Sequence, residues 1–447
     1  MSQHPDRQSP TVFYAEHLAM LQAGHASALA ESGFDALVIH AGLPGKQSIF
    51  DDQYFAHKPT PAFAHWLPLR KADATLLVRP DHRPVLCVVK IEDFWEKESA
   101  EESDHYREWF DEVELADPAE TAQSLPPGRV AFIGQASERA KAWGLADGAI
   151  NPPELLGALD RLRAHKSDYE RACIAEANRR AARGHVAVQQ AFAGGNICEF
   201  DLHLAYLRAT RQDDCQTPYK NIVAIDDSAA VLHYVTYRRE SAPGDHHSLL
   251  CDAGATCLGY ASDITRTTWQ GQKGAASAAF AELVLGMEEL QAEICTRIRP
   301  GLDYEELHDQ AHHLLADLLC EIGVARGPAS DLVDSGATRC FLPHGLGHSL
   351  GIQVHDVGCR PREPRPDNPF LRNTSTITPG QVFTIEPGCY FIAALMEKLR
   401  GLPVSSAIDW DLVATLSNFG GVRIEDNIAV LDHGTVNLTR DNWPDTP

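Results

Sequence analysis

No stretch of the sequence approaches the roughly 18 uninterrupted apolar residues that a transmembrane helix requires. The first seventeen residues lack the apolar core of a secretory signal. Positive charge is scarce: 39 Lys and Arg stand against 62 Asp and Glu, a formal charge of −23. A surface of that sign repels phosphate, which argues against a general nucleic-acid or anionic-membrane binder. Paired cysteines are missing as well. The eleven cysteines are scattered and none forms Cys-x-x-Cys. That usage reads as reduced thiols in a cytoplasm, each a small buried hydrophobe. Low-complexity segments and short tandem repeats are absent. So are His-Glu-x-x-His, Gly-x-Ser-x-Gly, the phosphate-binding Gly-x4-Gly-Lys-Ser/Thr loop and the dinucleotide-binding glycine spacing.

What is there is a 447-residue chain, 44% hydrophobic and 23% charged, long enough for two or three domains. Apolar spacing predicts a helix over 12–32, then a buried strand from Asp35 to Gly42. Residues 43–68 read as a loop rich in Pro, Phe, His and Asp. A hairpin follows, 74–79 and 84–90, turning at Pro80-Asp-His-Arg. Another strand covers 129–134. Strands alternating with helical stretches indicate an α/β domain over 1–155, with a boundary near Asn151-Pro-Pro. Beyond it, helices are expected at 154–164, 168–193, 199–212, 275–298 and 303–322. Ser167-Asp-Tyr-Glu170 forms a capping box. Strands are expected near 221–225, 230–236, 248–253 and 263–269. A Pro/Arg-rich loop occupies 360–369, and 393–409 reads as a less ordered insertion.

Chemistry concentrates in the second part. Pro343-His344-Gly-Leu-Gly-His348-Ser-Leu-Gly-Ile-Gln-Val-His355-Asp places three histidines at offsets of four and seven, with glycines that let the backbone approach a ligand closely. Three histidines in such a segment favour function over structure. Asp252 and Asp263 sit in a strand-turn-strand setting that could bring both carboxylates to one spot, although an aspartate at a strand end is commonly a turn residue. Glu386 lies inside the apolar stretch Val382-Phe-Thr-Ile-Glu-Pro-Gly, and glutamate is almost never fully buried unless paired or coordinated. Glu425 repeats this in Arg423-Ile-Glu-Asp-Asn, where Arg423 offers an ion pair as an equal alternative. Four converging carboxylates would repel, and two divalent cations would cancel that repulsion. An oxygen-rich donor set with one imidazole suits Mn²⁺, Co²⁺, Fe²⁺ or Zn²⁺. Two such ions can share a hydroxide, a strong nucleophile near neutral pH.

The Asp-x10-Asp pair, the segment from His344 to Asp356, Thr384-Ile-Glu-Pro-Gly388 and Arg423-Ile-Glu-Asp426 together resemble the pita-bread metallopeptidases. That group holds methionine aminopeptidase, aminopeptidase P, prolidase and the metal-independent creatinase. The resemblance covers essentially the whole chain. It implies an α/β creatinase-like N-terminal domain, 1–155, and a pita-bread catalytic domain of mixed α+β type, 156–447. Phe50-Asp-Asp, Pro218-Tyr-Lys-Asn-Ile-Val-Ala and Ala229-Ala-Val-Leu-His-Tyr are most similar to the bacterial prolidases, the Xaa-Pro dipeptidases, whose close relatives also cleave organophosphate triesters. By this resemblance Asp252, Asp263, His348, Glu386 and Glu425 are metal ligands for two divalent ions, with manganese ahead of cobalt and zinc. Glu386 is also the proton acceptor for the nucleophilic water. His233, His344 and His355 are substrate-side histidines, and Arg423 corresponds to the arginine that helps bind the substrate's terminal carboxylate. Tyr219 keeps an active-site tyrosine position. A small dipeptide substrate and a cytoplasmic homodimer are implied, with the 43–68 loop and its Trp66 as the candidate for closing a neighbouring subunit's pocket. The rival readings are aminopeptidase P-type cleavage of longer peptides and a non-catalytic peptide-binding module on the same fold.

Overall fold

The computed structural model describes residues 8–90, 102–241, 248–270 and 275–444, so the stretch read for a leader lies partly outside the described residues. The chain divides into two compact units: Met1–Arg163 with Ser167–Cys173, and Ala164–Lys166 with Ile174–Pro447.

In the first unit the helix Tyr14–Ser32 buries Leu18, Leu21, Ala28 and Leu29. It ends where Gly33 takes φ 74° and its N–H closes on Ala30 O, a left-handed cap that glycine adopts without penalty. This helix packs on Pro153–Arg163. Contact is close because Gly24 has no side chain: a Cβ there would lie 2.8 Å from both methyls of Leu162. The five-stranded sheet has the order β4-β3-β2-β1-β5, built from β1 (Ala36–His40), β2 (Thr75–Val78), β3 (Val85–Val89), β4 (Asp111–Leu115) and β5 (Val130–Ile133). The expected hairpin is β2–β3, antiparallel, and β1 pairs in parallel with β5. Strand β4 went unread because its sequence, Asp-Glu-Val-Glu-Leu, is mostly acidic and exposed at an edge.

In the 43–68 loop, Trp66 is a core residue. It is fully buried and its indole N–H donates to His25 Nε2 at 3.2 Å, which corrects the reading of Trp66 as a pocket-closing side chain. The loop's exposed apolar groups are Leu43, Ile49, Phe50, Tyr54 and Phe55 instead.

The second unit carries β6 (Ile222–Ile225), β7 (Ser248–Asp252), β8 (Thr256–Cys257), β9 (Tyr260–Ala261) and β10 (Thr265–Trp269), followed by β11 (Val382–Ile385), β12 (Gly388–Tyr390), β13 (Gly421–Arg423), β14 (Asp426–Leu431) and β15 (Gly434–Asn437). All their pairings are antiparallel, in the sheets β10-β7-β6 and β11-β14-β15 and the pairs β12-β13 and β8-β9. The capping box forms at the start of Asp168–Ala193: Ser167 N–H donates to Glu170 Oε2 at 2.8 Å and Glu170 N–H to Ser167 Oγ at 3.4 Å. The amphipathic helices Ala275–Arg297 and Tyr304–Glu321 lay Phe280, Met287, Ile294, Leu307, Ala311 and Leu315 into one core with Phe383, Ile385, Val422 and Ile428 of the strands.

Two readings fail here. Residues 230–236 form no strand: their alternation is real, but the segment pairs with no ladder. The stretch 393–409 is ordered, as a helix Ala393–Arg400 burying Met396 and Leu399 and a short 3-10 turn Pro403–Ala407. Its charged residues lie on the outer face of that helix, which disguised the pattern. Among the described residues no helix is long and apolar enough to cross a membrane.

Phe280 is fully buried and stacks on Phe419, centroids 4.3 Å apart and planes 10° apart. Phe280→Ala is therefore expected to lower unfolding free energy by about 3–5 kcal/mol. Chemical denaturation of the ion-loaded protein measures this, and a loss under about 1 kcal/mol would mean that the core collapses around the gap.

Candidate metal centre

Strand ends bring the acidic residues together. Strand β7 runs apolar through Leu249, Leu250 and Cys251 and stops at Asp252, which is paired in register with Thr265 of β10. Asp263 lies two residues before β10, so the turn between the strands returns it to Asp252. Tyr219 marks the meeting point, its hydroxyl 2.7 Å from Asp252 Oδ1 and 2.5 Å from Asp263 Oδ1. The other two acids come from a second strand pair. Ile385 of β11 is opposite Asp426 of β14, so the next residues along the register, Glu386 and Glu425, face each other. An isolated bridge from Thr265 to Glu425 joins the two halves, and Thr265 Oγ1 donates to Glu425 Oε2 at 2.7 Å.

The histidine segment lies along β11. Leu350 N–H donates to Val382 O, Thr384 N–H to His348 O at 2.9 Å and Glu386 N–H to Leu346 O at 2.8 Å. Gly347 makes this possible: a Cβ there would lie 2.1 Å from Thr384 O. His348 Nδ1 stands 3.1 Å from Ser349 O. A donor role there leaves Nε2 as the free lone pair. That Nε2 faces Asp263 Oδ2 at 3.3 Å and Glu386 Oε1 at 3.5 Å.

The remaining sequence-derived residues surround a cleft of about 490 Å³, which is lined also by Leu232, Pro343, Phe370 and Leu371. His344 Nδ1 is 3.8 Å from Glu386 Oε2, and its Nε2 meets the Tyr390 hydroxyl at 2.9 Å. His355 is exposed, with its ring edge-on to that of His348 at 4.4 Å. His233 is exposed and lines the same cleft. Arg423 is buried and fully engaged: it donates to Asp252 Oδ2 at 2.6 Å, to the Tyr390 hydroxyl at 2.8 Å and to Thr265 Oγ1 at 3.1 Å. Three contributors escaped sequence reasoning. Thr265 and Tyr390 carried no signal beyond strand propensity. Arg372, which lines the cleft exposed and without an ion pair among the described residues, was hidden among the arginines of the neighbouring loop.

Electrostatics set this cluster apart from an ordinary ion-pair network. Burial pushes Glu386 up to about 7 against the pull of His348 and Arg423, and burial together with the charges of Asp263, Glu386 and Asp252 pushes Glu425 well above the carboxylate range. Asp252 is raised by burial in spite of Arg423. Asp263 ends below its ordinary value because the His348 hydrogen bond and charge outweigh burial, and His348 is raised in return. Burial drives His344 down to about 3, and partial desolvation of its ring with His348 close by drives His355 down to about 4, so both are neutral imidazoles near pH 7.

Residues 172–432 match the metallopeptidase family M24, and residues 12–160 match the N-terminal domain described for Xaa-Pro dipeptidase. The chain belongs to metallopeptidase family M24. Curated relatives from Pseudoalteromonas atlantica and Aeromonas hydrophila, both named Xaa-Pro dipeptidase, are 40% identical to it over 96% of this chain and 98% of their own length. Solved structures of Escherichia coli aminopeptidase P share the fold. The form with the inhibitor Pro-Leu is 22% identical and the zinc-substituted form with product 23%, each at a TM-score of 0.72 over 96% of this chain and 95% of the other. The creatinase-like and pita-bread architecture expected from the motifs is thus the architecture found.

An M24 metallopeptidase works with divalent ions, and the residues present fit them. Asp263, His348 and Glu425 each offer a donor atom, all within 4.8 Å of one another. Glu425 Oε1 is buried without a hydrogen-bond partner among the described residues. An unsatisfied buried carboxylate oxygen is costly, and a cation satisfies it.

The protonation pattern gives a test. In the ion-free folded state Glu386 keeps its proton up to about pH 7, whereas an ordinary glutamate releases it near 4.5. The stability it contributes is complete below the lower value and is lost as pH rises through the upper one. In chelator-stripped protein, Glu386→Gln should match the wild type in Tm at about pH 5 and exceed it at about pH 8. Added Mn²⁺ should reverse that order at pH 8, because ions displace the protons. A glutamine variant less stable than wild type at both pH values without ions would contradict this account of Glu386.

Proposed function

We propose that the protein hydrolyses Xaa-Pro dipeptides, releasing C-terminal proline, with Asp252, Asp263, His348, Glu386 and Glu425 holding two divalent ions. The observation that carries this reading is the excess of carboxylates lining one cleft, four against one engaged guanidinium among the described residues, with Asp252, Asp263 and Glu425 buried and Glu386 half-buried, beside an arginine without an ion pair. The identity of the curated relatives supports the dipeptide class. Manganese suits the oxygen-rich donor set. When bound, the ions supply Lewis-acid polarisation of the scissile carbonyl and a water acidified toward neutral pH.

The chain's own residues do the rest. Glu386, poised near neutrality, accepts the proton of the attacking water at a carboxylate oxygen and returns it to the prolyl nitrogen as the C–N bond breaks and proline leaves. His355, neutral near pH 7, donates an N–H toward the carbonyl oxygen as negative charge develops there, while His344, whose Nδ1 lies 2.8 Å from Gly345 O and whose Nε2 lies 2.9 Å from the Tyr390 hydroxyl, lines the substrate side and fixes Tyr390. His233 closes the same face. Leu232, Pro343, Phe370 and Leu371 give the proline ring an apolar wall. The scissile bond has no N–H, so no acceptor is needed beside it. The terminal carboxylate we assign to Arg372, because the guanidinium of Arg423 is spent on Asp252 and Tyr390. In this reading Arg423 fixes those two groups. The exposed apolar side chains of the 43–55 loop support self-association as a homodimer, the free, scattered cysteines support a reducing cytoplasm, and the acidic composition argues against a nucleic-acid or anionic-membrane partner.

Proline release from Gly-Pro, Ala-Pro and Leu-Pro, with Ala-Pro-Ala and Ala-Ala in parallel, tests the proposal on chelator-stripped protein reloaded with Mn²⁺, Co²⁺ or Zn²⁺. Ion-restored cleavage confined to the dipeptides is expected. Comparable cleavage of the tripeptide would shift the reading to an aminopeptidase P-type activity. Arg372→Ala should raise KM for Gly-Pro by about ten- to a hundredfold, the worth of a charge-assisted hydrogen bond, with ion content unchanged. An unchanged KM would remove Arg372 from the carboxylate site.

A further inference from the structure

His233 reaches the cleft on a segment that neither helix nor strand holds. The side chains of Val231–Val235 alternate. Leu232 and Tyr234 turn inward against a cluster that includes Ile222, Leu250 and Tyr390, while Val231, His233 and Val235 are exposed. A turn and coil without a ladder has no pairing to fix its height or direction, and its backbone groups must find partners elsewhere.

Glu199 is where they find them. It is the first residue of the helix Glu199–Thr210 and it is completely buried. One carboxylate oxygen accepts from the N–H of Ile225, the last residue of β6, at 3.0 Å. The other accepts from the Tyr234 hydroxyl and from the Arg238 N–H, both at 2.7 Å. Phe200 N–H returns a bond to Arg238 O at 3.1 Å. An acidic residue in the first helical turn is commonplace, since it complements the helix dipole from the surface. Burial removes that simple explanation, because a buried carboxylate is costly unless donors satisfy it. All three donors here come from one segment remote in sequence, and they bracket His233: one stands before it, one is its immediate neighbour and one follows. The inward neighbours of His233 share a cluster with Tyr390, whose hydroxyl holds His344 and Arg423. The two histidines are therefore referenced to the same core.

We propose that Glu199 is a positioning residue for His233: its buried carboxylate clamps residues 225–238 and sets where the imidazole stands over the cleft. This rests on the reading of His233 as a substrate-side group of the dipeptidase. Glu199 touches no substrate and acts through the segment alone.

The test uses full-length, manganese-loaded protein as wild type, Glu199→Gln, Tyr234→Phe, His233→Ala and the Glu199→Gln/His233→Ala double variant. Hydrogen–deuterium exchange over residues 226–238 is expected to rise several-fold in Glu199→Gln and less in Tyr234→Phe, with exchange around Asp252, His348, Glu386 and Glu425 unchanged. Turnover of Gly-Pro should fall on the order of ten- to a hundredfold in Glu199→Gln, mainly in kcat. In the His233→Ala background the same change should add nothing, since both act through one group. Tyr234→Phe deletes a single hydroxyl and keeps the question open if Glu199→Gln does not fold. Unchanged exchange in the folded variants, or additive losses in the double variant, overturns the positioning role while leaving the dipeptidase reading intact. Full turnover by His233→Ala overturns the reading of His233 and the positioning role with it.

Discussion

Too much negative charge in too little water is the condition from which the rest of this site follows. Asp252, Asp263 and Glu425 are nearly excluded from solvent, and Arg423 is the one guanidinium among them. Arg423 neutralises Asp252, a shared tyrosine proton spans Asp252 and Asp263, and Glu425 is left with an oxygen that nothing among the described residues satisfies. A protein interior does not tolerate that arrangement for its own stability. It makes sense as a vessel for cations.

The neighbouring residue shows the contrast. Asp426 is also completely buried, yet burial is outweighed by Arg266 and Arg440 and its carboxyl is held below the ordinary value. Arg266 reaches it at 2.6 Å, Arg440 at 2.6 Å and Gln291 at 3.0 Å, and Arg266 also holds Glu425 O at 2.8 Å. Adjacent acids on one strand thus face opposite sides, one saturated with protein cations and one starved of them. The saturated side braces the backbone that aims the starved one.

How much of this could be read in the sequence depended on cost. An acid inside an apolar strand is expensive, so Glu386 and Glu425 announced themselves, and three glycine-spaced histidines did the same for the segment beside β11. Residues whose roles come only from packing did not. His233 sits in an alternating stretch that reads as a strand and is instead clamped coil, and only family resemblance singled it out. Trp66 looked available because it is aromatic in a loop-like stretch, yet it fills the core of its unit. The helix Ala393–Arg400 was masked by its charged outer face. Arg372 and Arg423 could not be told apart by chemistry, because which guanidinium is free depends on partners that are distant in the chain. The fold's alternation of strands and helices was legible, while the acidic edge strand β4 was not.

The facing of Glu386 and Glu425 rests on the alignment of β11 with β14. In an antiparallel pair, sliding one strand by a single residue turns its side chains to the other face. Such a slip would send one of the two acids into the core beside Ile385 and Ile428, and would bring an apolar side chain toward the ions. The same register that closes the sheet therefore also sets which way the two acids point, so the geometry of the donor set is written into the strand alignment itself.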